Sequence, residues 1–289
     1  MLQALRLFGL SLGALAVLGC NVTSDGSAGD PPTDPDPDVL GSGARISEVM
    51  GPATWFKPEI QMGTDGCSFP PDRQVSFTGQ IIVAVDRFDE TNDGAIGNIY
   101  IQDLQGDPAA PVPYSGLTIF GASFTPPDLR IFEGDVVDTF GTLTEFIGPN
   151  SAGFGGCRTL PEASGAIQLR FDAAPAAPST IVFAGADASR WAPIIGYDNA
   201  RQWLGMLVRL EGVTIGTDAV ADSAGRYTAA LDLGGGLAGD DLVKISNELF
   251  DLEASGLELT AGTQYAAVTG VLTYFYGFKI APRSAADFE

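Results

Sequence analysis

One octapeptide occurs twice in this chain, and it sets the terms for the fold. Gly141–Gly148 reads GTLTEFIG and Gly270–Gly277 reads GVLTYFYG, so both spell G-x-L-T-x-F-x-G. The two copies lie 129 residues apart. Upstream, Phe132-Glu-Gly134 and Thr260-Ala-Gly262 share a placement ahead of a long strand pattern, 128 residues apart. Asp103-Leu104 and Asp232-Leu233 again fall at 129. A single extra residue within a paired strand is what a β-bulge supplies. The chain is therefore expected to build one structural unit twice, over 45–165 and 166–289, with Pro175–Pro178 near the boundary.

The unit is a β unit. From Arg45 onward apolar residues alternate with period 2 far more often than they recur at helical spacing. Strands are predicted at Val75–Val85, Asn98–Asp103, Leu117–Phe120, Asp135–Phe146, Met206–Ile215, Tyr227–Leu231, Leu242–Ser246, Gln264–Tyr276 and Phe278–Ala281. Turn chemistry separates them, and the 37 glycines and 19 prolines disfavour long helices. Short helical pieces are expected near Asn199–Leu204 and Ser284–Phe288.

About five strands per module, two of them long enough to bend, match the five-stranded Greek-key barrel of an OB-fold. The fold class is thus all-β, two tandem OB-like modules with few short helices, and a β-sandwich is the alternative. The segments Gly97–Asp103 (GNIYIQD), Gly116–Phe120 (GLTIF) and Glu133–Val137 (EGDVV) resemble OB-like domains of bacterial exported lipoproteins and of extracellular nucleases' neighbouring domains. Tyr276–Asp287 (YGFKIAPRSAAD) resembles the closing segment of the same group, and Gly205–Val208 (GMLV) the strand that opens its second half. The resemblance implies fold and export, not an activity, because no endonuclease motif accompanies it.

The first residues read as an address. Arg6 precedes an apolar run of about a dozen residues, Leu7–Leu18, too short to span a bilayer core of roughly 30 Å as a helix. Residues 1–19 suit a secretory signal peptide. Val17-Leu18-Gly19-Cys20 resembles the lipobox of bacterial lipoproteins, which implies cleavage before Cys20 and acylation of that residue. Asn21 after the Cys implies sorting to the outer membrane, with its face left open. Residues 20–44, rich in Asp, Pro and Gly, are expected to form an extended, self-repelling tether. The membrane, through the anchor, is the one partner named; the ligand or envelope protein beyond it is not.

Export leaves Cys67 and Cys157 in a compartment where disulfides persist, and both sit in Gly-rich turns outside any CxxC pair, so they are expected to bridge. The chain holds no histidine, which excludes Ser-His-Asp, Cys-His and HExxH chemistry. It also lacks GxSxG, SxxK and P-loop motifs, so an enzyme is not expected, a metal-dependent hydrolase being the exception left open. A net charge of −21 argues against nucleic acid as a partner.

Two groups of residues remain as candidate sites. No cofactor is expected, with Ca²⁺ the one weak candidate: Asp86, Asp89 and Asp93 crowd the first hairpin loop, at a spacing unlike an EF-hand. Asp218, Asp222 and Ser223 form a fainter counterpart. For a ligand face, alternation on the strand Asn98–Asp103 turns Ile99 and Ile101 inward. Tyr100 and Gln102 then face outward, onto the surface that OB-folds use for oligomeric ligands. Tyr274, Tyr276 and Phe278 are expected to share a face of the second module, as a stacking platform or as barrel core.

Overall fold

The computed structural model describes residues 44–51, 74–92, 94, 96–104, 112–125, 130–146, 160–234 and 236–289. The first half is a closed five-stranded barrel. Its strands are β1 (Gln74–Val85), β2 (Ile99–Asp103), β3 (Gly116–Thr125), β4 (Val136–Phe146) and β5 (Leu160–Leu169), in the order β1-β2-β3-β5-β4. β1 pairs antiparallel with both β2 and β4, and β3 runs parallel to β5, the closure of an OB-type Greek key. β1 serves both partners because it bends: its register slips between Phe77 and Gln80 against β4, and between Ile82 and Ala84 against β2. Phe77, Ile99, Ile101, Leu117, Val137 and Leu143 fill this barrel.

The second half repeats the plan with additions. After β6 (Thr180–Ala184) and the helix α2 (Pro193–Arg201) come β7 (Leu207–Thr214), β8 (Val220–Ala221), β9 (Tyr227–Ala230), β10 (Lys244–Ser246), β11 (Gln264–Tyr274) and β12 (Phe278–Ala281). The sheet order is β6-β7-β11-β12-β10-β9-β8, and β10 is parallel to β12 as β3 is to β5. A bridge between Ile215 and Leu231, with Asp232 N–H donating to the Thr214 carbonyl at 2.9 Å, brings β7 back towards β9, so this seven-stranded sheet curls round and is called the second barrel. β2, β3 and β4 begin 128 residues before β9, β10 and β11 respectively. The expected all-β architecture therefore holds, with β6 and β8 as extra edge strands. β5 runs to Leu169, a few residues past the anticipated boundary at 165.

The extra residue between the copies has a location. The β7–β11 ladder runs without a register slip, whereas the β1–β4 ladder slips opposite the start of β4. β4 is thus one residue short ahead of the motif, and β1 takes up the difference as a bulge. The motif glycines themselves mark where strands cross closely. A Cβ on Gly141 would collide with the Ser164 carbonyl of β5, and one on Gly270 would lie 2.6 Å from the Ala281 carbonyl oxygen of β12. Each motif leucine, Leu143 or Leu272, is buried in its own barrel core.

A short helix absent from the sequence reading, α1 (Ile46–Met50), docks on the first barrel. Its first N–H groups have no intrahelical acceptor. The Asp103 carboxylate supplies one, accepting from Ile46 N–H at 2.8 Å, Ser47 N–H at 2.9 Å and the Ser47 hydroxyl at 2.8 Å. Burial still pushes the Asp103 carboxyl up to about 6 against the pull of these bonds.

Candidate functional site

Alternation on β2 is as the sequence predicts, but its outward face does not meet solvent. Ile99 and Ile101 enter the barrel core, while Tyr100 and Gln102, both 0% exposed, point into the second barrel. The Tyr100 hydroxyl donates to Glu248 Oε1 at 2.6 Å. Gln102 Nε2 donates to the Ser179 carbonyl at 3.1 Å, and its Oε1 accepts from Leu207 N–H at 3.3 Å. The candidate ligand face Tyr100–Gln102 is thus corrected: it is the contact surface between the barrels. Alternation tells which side of a strand a residue takes, not what covers that side.

Apolar packing holds the centre of this junction. Val83, Ala84 and Tyr100 pack with Leu207, Leu249, Val271 and Ala281. Two glycines let the backbones meet: a Cβ on Gly205, whose φ is +75°, would lie 2.6 Å from Leu117 N, and one on the facing Gly116 would collide with the Leu204 carbonyl. Tyr114 N–H donates across the seam to the Gln202 carbonyl at 2.7 Å. A depression lined by Met50, Tyr114, Gly116, Arg201 and Leu204 has a volume of about 10 Å³, room for roughly one water.

At the rim, the loop after β1 meets the β8–β9 turn and the β11–β12 turn, and charges gather. Arg226 Nε lies 3.5 Å from Glu90 Oε1. The Arg226 guanidinium sits 4.7 Å and the Lys279 ammonium 5.0 Å from the Phe275 ring centroid. Glu248 accepts from Tyr100 on one barrel and from the Thr273 hydroxyl, at 2.9 Å, on the other. Burial, then the nearby Glu248 carboxylate, pushes Asp86 up to about 7. The same two causes push Glu90 up to about 8, outweighing the pull of Lys279 and Arg226. Burial lowers Lys279, and burial with Glu248 raises Tyr100 well above the usual phenol range. Burial thus favours the neutral form of two carboxyls, Asp86 and Glu90, gathered between the two barrels.

The other candidates fall elsewhere. Asp86 turns into the junction, where its Oδ1 accepts from Phe88 N–H at 3.3 Å. Asp89 closes its own loop, its Oδ2 accepting from Gly94 N–H at 2.7 Å. The two do not converge on one point, and Asp93 lies outside the described residues. Asp222 accepts from Ala224 and Arg226 N–H, and Asp218 from Ala261 N–H, so both serve the backbone. Among the described residues no group of three or more acidic, His or Cys side chains is arranged to hold a metal ion. Cys20, Cys67 and Cys157 also lie outside the described residues.

The aromatic platform of the second module is corrected too. The chain reverses at Phe275–Gly277, so Tyr274 and Phe278 are cross-strand partners rather than positions along one face of a single strand. Both are buried in the second core with Tyr197, at ring separations of 4.9 to 5.3 Å. Tyr276 stands half-buried in the turn at φ +50°, its ring against Phe275.

One surface escaped the sequence reading. On the outer face of β3-β5-β4, Phe120 is 58% and Phe140 42% exposed. Phe120 pairs with Ser164 and Phe140 with Ala166 on β5, so small residues separate the two rings. The signal was present in GLTIFGAS and VVDTFGTL, where each Phe breaks the alternation of its strand. No helix among the described residues is long and apolar enough to cross a membrane. No protein-family model matches this chain, and no curated protein matches it significantly.

Proposed function

We propose that this chain is a lipid-anchored envelope protein whose two-barrel body acts as a non-catalytic binding or structural module. The VLGC sequence at Cys20 and the acidic tether behind it support the anchor and the outer-membrane address. The observation that carries the binding role is the Phe120–Phe140 face. With β2 turned into the junction, this is a sheet face on which the first barrel offers two aromatic rings to a partner.

The alternative reading, an accessory to an extracellular hydrolase, is favoured for carbohydrate over nucleic acid by the same face. β3, β4 and β5 contain no Lys or Arg, and Thr142, Ser164 and Gln74 border the rings. Hydroxyl and amide groups beside aromatic rings suit a neutral polyhydroxylated chain, whereas a phosphate backbone needs cations.

The test is co-sedimentation of the full chain with insoluble peptidoglycan and with a neutral polysaccharide, beside a gel shift with single-stranded DNA. Phe120→Ser with Phe140→Ser should abolish sedimentation while leaving the circular dichroism spectrum unchanged. Hydrolysis of any of these probes, lost in Asp86→Asn, would replace the reading with a catalytic one. Retention of wild-type Cys20 as an unmodified residue, read by mass spectrometry of the mature terminus, would remove the anchor.

A further inference from the structure

The junction pairs two facts that have no common purpose in a permanent structural seam. It covers the β2 face of the first barrel with apolar side chains, and it rims that cover with carboxyl groups contributed by both barrels. Asp86 and Glu90 come from the loop after β1, and Glu248 follows β10. Among the described residues, Lys279 of β12 and Arg226 ahead of β9 are the cations that oppose Glu90 within the seam, and Lys279 is itself buried. A seam meant only to hold would place apolar or fully paired groups there, because ionised carboxylates out of water destabilise unless matched.

We propose that the junction is a proton-operated latch: it is tight while Asp86 and Glu90 carry protons and loosens when both ionise, uncovering Tyr100 and Gln102 on the first barrel. The charged neighbours on each packed element bear on the balance. Asp89 lies on the same loop, and Glu162 of β5 acts on Tyr100 from behind. Lys244 of β10, which pairs with Lys279 of β12, adds positive charge from the far side. With both carboxyls neutral, the buried Lys279 faces the Glu248 carboxylate, and Arg226 has an uncharged neighbour in Glu90. With both ionised, three carboxylates share those two cations, and two of the three are dehydrated. Separation rehydrates them, so the open form releases protons that the closed form retains. Burial supplies the direction: Asp86 and Glu90 are the two carboxyls it lifts to about 7 and about 8. The latch requires neither the lipid anchor nor any ligand.

Hydrogen exchange of the full chain in mild detergent, at pH 5.5 and pH 9 and corrected for the intrinsic pH dependence of exchange, tests it. The amides to follow are Leu207 and Tyr114, which donate across the seam. Their protection should fall by about a hundredfold or more between the two pH values, while Ile101 and Leu272 inside the barrels hold theirs. Asp86→Asn with Glu90→Gln should stay protected at both pH values. If that variant does not fold, Lys279→Met should widen the wild-type difference, because it removes a cation that favours the ionised closed form. Unchanged protection in the wild type, a uniform loss in all four amides, or a pH effect that survives the double variant would overturn the proposal.

Discussion

The same motif position has opposite fates in the two barrels. Thr144 of the first copy stands on β4 in solvent; Thr273 of the second, 129 residues on, is buried and bonded to Glu248. Likewise Tyr100 on β2 fills the seam, while Thr228, 128 residues on, and Ala230 leave the β9 side with small groups. The five described carboxyls that burial lifts, Asp86, Glu90, Asp103, Glu133 and Asp138, all belong to the first barrel. Two copies of one backbone plan have thus become unequal partners. The first presents its β2 side and the carboxyls that burial lifts, and the second presents β7, Leu249, β11 and β12 as the cover. Repetition preserved the closing hydrogen bonds and the core leucines, and divergence went to residues that face outward.

The comparison breaks most completely at Gly205. Gly205→Val puts a side chain against Leu117 N in a left-handed backbone region, and should cost about 4 kcal/mol or more. Differential scanning calorimetry should then resolve two transitions, one per barrel, where the wild type gives one. A single transition at the wild-type temperature would mean that the close approach at Gly205 contributes nothing to the stability of the joined barrels.

Tyr100→Ala comes next, at about 3–5 kcal/mol, since it empties a fully buried site and leaves Glu248 with Thr273 alone. Tyr100→Phe keeps the ring and should cost about 1–3 kcal/mol. Thr228→Ala, at the matching place in the second barrel, should be nearly silent in the same urea titration.

A pH series sharpens the inequality. Asp103 at about 6, Asp86 at about 7 and Glu90 at about 8 all lie above the ordinary carboxyl value near 4. The folded state therefore holds protons that the unfolded chain releases. The stability they contribute is complete below about pH 4 and is lost as pH rises through about 8, a few kcal/mol in total. Urea midpoints for the first barrel should drop between pH 5 and pH 8.5; a midpoint that climbs over that range contradicts the burial of these groups. The smallest effect belongs to Phe120→Ser, within about 0.5 kcal/mol, because that ring is exposed.

What could be read from the sequence was whatever local pattern determines. Nine strands were visible because large β-branched and aromatic residues alternate in them. β5, LPEASGAIQL, was not, since its inward positions are Ala163, Gly165 and Ile167 and carry little pattern. Gly165 is small because β4 passes too close for a Cβ. β6 and β8 are short edge additions with no counterpart in the repeat. The junction was half legible. The orientation of Tyr100 followed from Ile99 and Ile101, but Glu248 is 148 residues away, and nothing local announces such a pairing. The break between the last two strands was placed at Gly277 alone, because an aromatic run reads as continuous strand, whereas Tyr276 at positive φ puts the turn at Phe275–Gly277.

The Asp103 collar gives the molecule a mechanical order. Tension in the chain ahead of residue 44 would enter the first barrel where Ala44 bridges to Phe77, where the Asp103 carboxylate holds the start of α1, and where Ile46, Val49 and Met50 are buried in the first core. Those contacts would be strained before the long ladders of β1 feel the load. Unwinding α1 would release about 20 Å of chain and leave the β1 pairings intact, a slack that stands between the leading chain and the barrel wall.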